Sequence, residues 1–118
     1  SESSFISEFD NVSPFTTTEL SKESYEELLP DFFEEVREDF TALVISSQKE
    51  DWLMVRRLAH KIKGTALSYS AVLIVEAALA LQKELGSGDV DQYQPLIDRL
   101  SKILDISYEY AKKNFGIT

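Results

Sequence analysis

The sequence lacks cysteine altogether and contains a single histidine, His60. Without cysteine, neither a disulfide framework nor a thiolate metal site can form, and one histidine cannot supply a multi-histidine site. Glycine is also scarce, and Gly64, Gly86, Gly88 and Gly116 do not form a glycine-rich phosphate loop. Metal binding by carboxylates alone stays open, but nothing in the sequence supports it. We therefore expect no metal site, no ATP binding and no autokinase activity.

Basic residues are outnumbered in this chain of 118 residues, which has 21 acidic and 12 basic side chains and a net charge of −9. This balance disfavours nucleic acid as a partner, because phosphate backbones are bound by clustered lysine and arginine. No run of about 20 uncharged apolar residues predicts a membrane span, and no signal peptide pattern is present. We expect a cytoplasmic monomer with one core and with neither nucleic-acid nor membrane partners.

The chain divides into an irregular start and a helical remainder. Residues 1–18 are rich in serine and threonine and show no sustained hydrophobic period, so we expect a flexible or loosely docked N-terminal arm. This arm can still lend Phe5, Phe9 or Phe15 to the core. Residues 19–118 form the predicted helical domain.

Four long amphipathic segments follow the arm. Pro30 predicts a short helix before it and a long helix after it, because proline is tolerated in a first turn but not in a helix interior. The apolar stripe of the long helix is Leu29, Phe33, Val36, Phe40 and Leu43, and the acidic residues expected to face water are Glu34, Glu35, Glu38 and Asp39. Further helices are expected after the N-cap Asp51, over residues 71–85, and after the turn at residues 86–89. The predicted fold is all-α, an antiparallel four-helix bundle with a short additional N-terminal helix.

The histidine lies on the polar side of the helix after Asp51. The core stripe of this helix is Trp52, Val55, Ala59, Ile62, Ala66 and Tyr69. At about 100° per residue His60 lies opposite this stripe and should be exposed. The residues that share its face are Leu53, Arg56, Arg57, Lys63, Gly64 and Leu67. Exposed leucines and a glycine inside a helix do not stabilise a surface that faces only water. This face therefore predicts that a partner docks on it.

The region around His60 is positively charged. Residues 52–75 contain no acidic side chain and four basic ones, namely Arg56, Arg57, Lys61 and Lys63. A phosphoryl group brings a charge of about −1.5 to −2, which nearby cations stabilise. A neutral imidazole is a nucleophile that can accept such a group. An alternative stays open, in which His60 is incidental, the basic residues form a solvated face, and Gly64 only permits close helix packing.

The segment Ala59-His60-Lys61-Ile62-Lys63-Gly64 resembles the signature of bacterial histidine-containing phosphotransfer (HPt) domains of two-component phosphorelays. The flanking helices extend the resemblance over about residues 20–115. The resemblance implies that His60 is the phosphorylated residue, that Lys63 supports the phosphoryl group, and that Gly64 clears space for the receiver domain. Docking of the receiver is expected on the same face, on Leu53, Arg56, Arg57, Lys61, Gly64 and Leu67.

Two further positions bear on the resemblance. The family often has glycine ten residues after the histidine, where this chain has Ser70. Some members use a glutamine on the following helix to orient the histidine, and Gln82 is similar in position. If the chain turns near Ser70, His60 and Gln82 lie about 15 and 18 Å from the turn, at a rise of 1.5 Å per residue, and hence at similar heights. Gln82 as an ordinary exposed polar residue is an equal alternative.

The resemblance implies a phosphorelay intermediate. Such a protein accepts a phosphoryl group on His60 from a receiver-domain aspartate of a hybrid sensor kinase and passes it to the aspartate of a response regulator. It implies no cofactor in this chain, with Mg²⁺ on the partner receiver domain. Two other possibilities stay open: a non-catalytic helical interaction module, and an HPt fragment of a larger hybrid or chemotaxis-type kinase.

Overall fold

The structure, a computed structural model, describes residues 13–16 and 22–117. Its elements are α1 (Lys22–Gln48), α2 (Trp52–Ser68), α3 (Val72–Ser87), a 3₁₀ turn (Val90–Gln92) and α4 (Tyr93–Phe115). Consecutive helices pack side by side, and α4 also contacts α1, which closes the bundle. No strand occurs within these described ranges. The predicted all-α bundle is confirmed.

The core lies along the bundle axis and is built from one apolar stripe of each helix. Most of the predicted stripe residues are fully buried, whereas Phe40, Trp52 and Tyr69 pack against the core while partly exposed. None of the helices in the described part of the chain is long and apolar enough to cross a membrane.

The first helix corrects one expectation, because α1 continues through Pro30 where a separate short helix was expected to end. Proline removes one backbone donor and crowds the preceding turn, at a cost of about 3 kcal/mol in a helix interior. Pro30 is exposed, while Leu29 and Phe33 on either side of it are buried in the same core. Burial of these two large side chains, at about 1.5–3 kcal/mol each, outweighs the local cost.

The turns at both ends of α2 define its length. Asp51 is the N-cap, as predicted, and its carboxylate accepts a hydrogen bond from the Met54 N–H at 3.2 Å. After α2, Ser70 adopts a φ of 55°, the left-handed conformation that glycine adopts most easily. Serine therefore makes the bend at the position where the resemblance implies glycine.

A short N-terminal segment docks at the end of the bundle. Phe15 is buried, and its ring lies 6.0 Å from Tyr25 and 6.0 Å from Phe115, measured between ring centroids. The Thr16 N–H donates to the Ser70 carbonyl oxygen at 2.9 Å. Phe15 therefore contributes to the core, as the sequence suggested. Phe5 and Phe9, which were named with it, lie outside the described residues.

Candidate functional site

His60 lies in the middle of α2 and is exposed, as the helical wheel predicted. The two leucines of its face are also exposed, Leu53 to 61% and Leu67 to 58% of their surface, although they are large apolar side chains. Arg56, Arg57 and Gly64 are exposed as well. The sequence-predicted face is therefore assembled on one side of α2, and it leaves apolar surface uncovered.

The imidazole contacts the neighbouring helix through Gln82 of α3. The distance from Gln82 Nε2 to His60 Nδ1 is 3.3 Å, within hydrogen-bond range. The other amide atom, Gln82 Oε1, is buried and has no partner among the described residues. Since α2 and α3 are antiparallel, two residues about equally far from the intervening turn meet, as the height argument predicted. His60 Nε2 is the ring nitrogen that Gln82 does not engage.

An open groove of about 430 Å³ lies beside the imidazole, between α2 and α3. Its lining residues are Leu53, Arg56, Arg57, His60 and Gln82. The groove therefore brings together five of the predicted site residues from two helices, and it joins cationic and apolar groups around one exposed nucleophile.

Gly64 lies one helical turn after His60, and space above it is open. A Cβ atom added to Gly64 would meet no neighbouring atom within 4 Å. Packing between the helices of this chain therefore does not require glycine at position 64. The alternative in which Gly64 only permits close helix packing is not supported.

The basic residues of α2 divide into two groups. Arg56, Arg57 and the half-buried Lys63 form no ion pair with any described residue. Lys61 differs, because its Nζ donates to Asp39 Oδ1 of α1 at 2.9 Å. The hydrogen bond and the negative charge of Asp39 raise the pKa of Lys61 above its ordinary value of 10.5. Lys61, predicted as a docking residue, thus points to α1 and not into the groove.

The expectation that Asp39 faces water is wrong, because it is 8% exposed. Its position explains this: Asp39 lies three residues after the buried Val36 and four before the buried Leu43, at the edge of the core stripe. Packing of α2 covers it, and Lys61 supplies a countercharge while its own side chain stays largely exposed. Asp39 Oδ2 is buried and lacks a partner among the described residues. The spacing to Val36 and Leu43 is the sequence signal that could have predicted the burial of Asp39.

Within the described residues, no group of three or more His, Asp or Glu side chains could hold a metal ion. The described part of the site presents an imidazole, an amide, an apolar surface and the cations Arg56, Arg57 and Lys63.

Comparison with known proteins adds an independent finding. Residues 27–107 match the family model described as Hpt domain, and this range spans α2 and α3 in full. No curated protein and no solved structure gives a significant match. Domains of this family transfer phosphoryl groups through histidine in phosphorelays, interact with receiver domains and have no kinase activity of their own. Because the match covers well over half of the chain, including His60 and the groove beside it, this protein belongs to the Hpt domain family.

Proposed function

We propose that this protein is a phosphorelay intermediate that carries a phosphoryl group on His60. One observation carries the proposal: the family transfers phosphate through histidine, and His60 is the only histidine in the chain. Its exposure on α2, next to an uncovered apolar surface, supports access by a partner protein.

The contact with Gln82 bears on which nitrogen reacts. With the amide as placed, Gln82 Nε2 donates to Nδ1, so the imidazole proton resides on Nε2. Rotation of the amide by 180° brings Oε1 to the ring, where it accepts from Nδ1–H and leaves the Nε2 lone pair free. We assign this second arrangement to the reactive state, because the nucleophile needs a free lone pair and an outward direction.

The transfer step is a displacement at phosphorus. The Nε2 lone pair of His60 attacks the phosphorus of an aspartyl phosphate, the bond from phosphorus to the carboxyl oxygen breaks, and the aspartate leaves as a carboxylate. The Nδ1 proton stays on the ring, held by Gln82. The reverse displacement, with the carboxylate of a second receiver as nucleophile, regenerates the imidazole.

Lys63 is the cation assigned to the phosphoryl group. It lies one turn after His60 and has no ion pair with a described residue, so its charge is available. Support of the negative charge that develops during transfer is the role that such a cation performs best. The open space above Gly64 suits the close approach of a receiver domain.

We further propose the direction of transfer: a receiver aspartate of a hybrid sensor kinase donates, and the aspartate of a response regulator accepts. Mg²⁺ is assigned to the receiver domains, so this chain contributes the nucleophile, its orientation and a cationic surface. The runner-up function, a helical module that binds proteins with His60 incidental, is favoured by the exposed leucines alone.

The test uses His60→Gln, which removes the nucleophile from an exposed position and should leave the fold intact. We expect no acid-labile phosphate after incubation with phosphoramidate or with a phosphorylated receiver domain, and an unchanged melting temperature. Gln94→His, on the exposed start of α4, restores a histidine elsewhere and serves as the matched control when combined with His60→Gln. Labelled phosphate on the His60→Gln single variant would refute the proposal. A wild-type chain that binds the receiver domain but takes up no phosphate from it would favour the runner-up function.

A further inference from the structure

The groove beside His60 contains cations that the transfer step does not use. Besides His60 and Gln82, the residues that line this groove are Leu53, Arg56 and Arg57. These three residues precede His60 along α2, whereas Lys63 follows it. The groove therefore extends away from the cation assigned to the phosphoryl group.

The guanidinium of Arg56 lies next to Gly86 of the neighbouring helix α3. Gly86 lies in the last turn of α3 and does not have a positive φ, so its backbone conformation does not require glycine. A Cβ atom at Gly86 would lie 3.3 Å from Arg56 Nη2 and 3.6 Å from Arg56 Cζ. Glycine thus leaves room for the guanidinium against the C-terminal end of α3, where the helix dipole favours a cation.

The two arginines are available for a partner. Neither forms an ion pair with a described residue, and no acidic residue occurs between Trp52 and Val75 in a protein of net charge −9. Leu53 lies beside them in the groove and is 61% exposed. A guanidinium recognises a carboxylate through charge-assisted, often paired hydrogen bonds, and an apolar side chain covers exposed leucine.

We propose that Arg56 and Arg57 bind an acidic side chain of the docked receiver domain, while Leu53 receives an adjacent apolar side chain, and that this contact selects among receiver domains. This inference rests on the proposed function. It assigns different roles to the residues on the two sides of His60 along α2. Lys63 supports the phosphoryl group on one side of His60, and Arg56, positioned by Gly86, recognises the partner on the other side.

The probe is the receiver domain of the same genome that binds the wild-type chain most tightly in calorimetry. Arg56→Gln removes the charge and should raise the dissociation constant about tenfold, the loss expected for one charge-assisted contact. The wild type should lose affinity between about 50 mM and about 300 mM salt, and Arg56→Gln should lose less, because fewer charges are left to screen. Lys113→Gln, which removes one charge from the exposed end of α4, is the matched control and should not change the dissociation constant.

A substitution at Gly86 tests separately whether the position of the Arg56 guanidinium matters for binding. Gly86→Ala places a methyl group 3.3 Å from Arg56 Nη2, so the guanidinium must shift by a few tenths of an ångström, and receiver binding should weaken slightly in the wild-type background. In the Arg56→Gln background the same substitution should have no further effect, since additivity fails for residues that act through one contact. An equal loss in both backgrounds would show that Gly86 does not act through Arg56.

The inference would be overturned by an Arg56→Gln dissociation constant equal to that of the wild type, by an equal effect of Lys113→Gln, or by a chain that binds no receiver domain. Labelling by phosphoramidate separates recognition from chemistry, because this small donor needs no docked protein. If Arg56→Gln lowered phosphoramidate labelling as much as receiver transfer, Arg56 would belong to the phosphoryl chemistry and the inference would be wrong. Failure of phosphoramidate to label wild-type His60 would instead refute the proposed function, while calorimetry would still decide the arginine contact.

Discussion

Replacing Gly64 by glutamine should make the protein more stable and much less active. Gly64 is exposed within α2, and a Cβ atom there would meet nothing within 4 Å, so the larger side chain fits the folded chain without a clash. Glutamine also has the higher helix propensity, by about 0.5 kcal/mol. The same side chain projects from the turn next to His60, since Cβ atoms four residues apart in a helix are about 6 Å apart.

The magnitudes follow from these two effects. A gain of about 0.5 kcal/mol corresponds to a rise of roughly 2 °C in melting temperature for a chain of this size, and Gly64→Ala should gain about 1 kcal/mol, or roughly 4 °C. A displacement of the receiver by about 1 Å can cost about a hundredfold in rate. We therefore expect Gly64→Gln to lower receiver-to-His60 transfer by about that factor, with Gly64→Ala intermediate between it and the wild type.

The assay pairs thermal melting with single-turnover transfer from a phosphorylated receiver domain for the wild type and both variants. Labelling by phosphoramidate should fall far less than receiver transfer, because the small donor does not need the space above Gly64. Normal receiver transfer in Gly64→Gln would mean that the partner approaches from another side. A lower melting temperature would mean that position 64 is packed inside the bundle, which would refute the orientation of α2.

Three further predictions concern single side chains. Lys63→Ala should slow transfer at saturating receiver by about tenfold or more while receiver binding changes little, since its proposed role is electrostatic support of the phosphoryl group; an unchanged single-turnover rate would remove it from the mechanism. The pKa of Lys61 is raised by Asp39, so the pair should stabilise the fold below pH 10.5 and lose that stabilisation as pH rises through the higher folded-state pKa. Melting of the wild type and Lys61→Gln from pH 8 to pH 12 should therefore converge at the alkaline end, and a constant difference would contradict the assignment. Ser70→Gly should stabilise the protein by about 0.5–1 kcal/mol, because glycine adopts the φ of 55° found there more easily; denaturant unfolding would show no gain if the turn strain is absent.

The sequence was sufficient for features that depend on local periodicity. The exposure of His60, Leu53 and Leu67 follows from the angle of 100° per residue, and the structure agrees. The N-cap at Asp51 was predicted from the preference of a short acidic side chain for the first turn of a helix, and it is confirmed. These features need only the residues of one helix and its ends.

Other features needed the tertiary structure because they depend on the contact between two helices. Whether α1 continues through Pro30 depends on the burial of the residues on both sides, which local propensity does not contain. Asp39 lies at the edge of a stripe, and the packing of α2 decided that it is buried and bound to Lys61.

At the site, too, some features follow from one helix and others from the packing of two helices. Residue type and spacing along α2 by themselves determined that this protein has one exposed histidine on a cationic helix face. Only the packing of α3 against α2 decided that Gln82 reaches Nδ1 and that Gly86 leaves room for Arg56, and only the packing of α1 against α2 decided that Lys61 points away to Asp39. The physical reason is that helical periodicity fixes the direction of a side chain from its own axis, whereas the distance to a side chain on another helix is set by how the two helices pack.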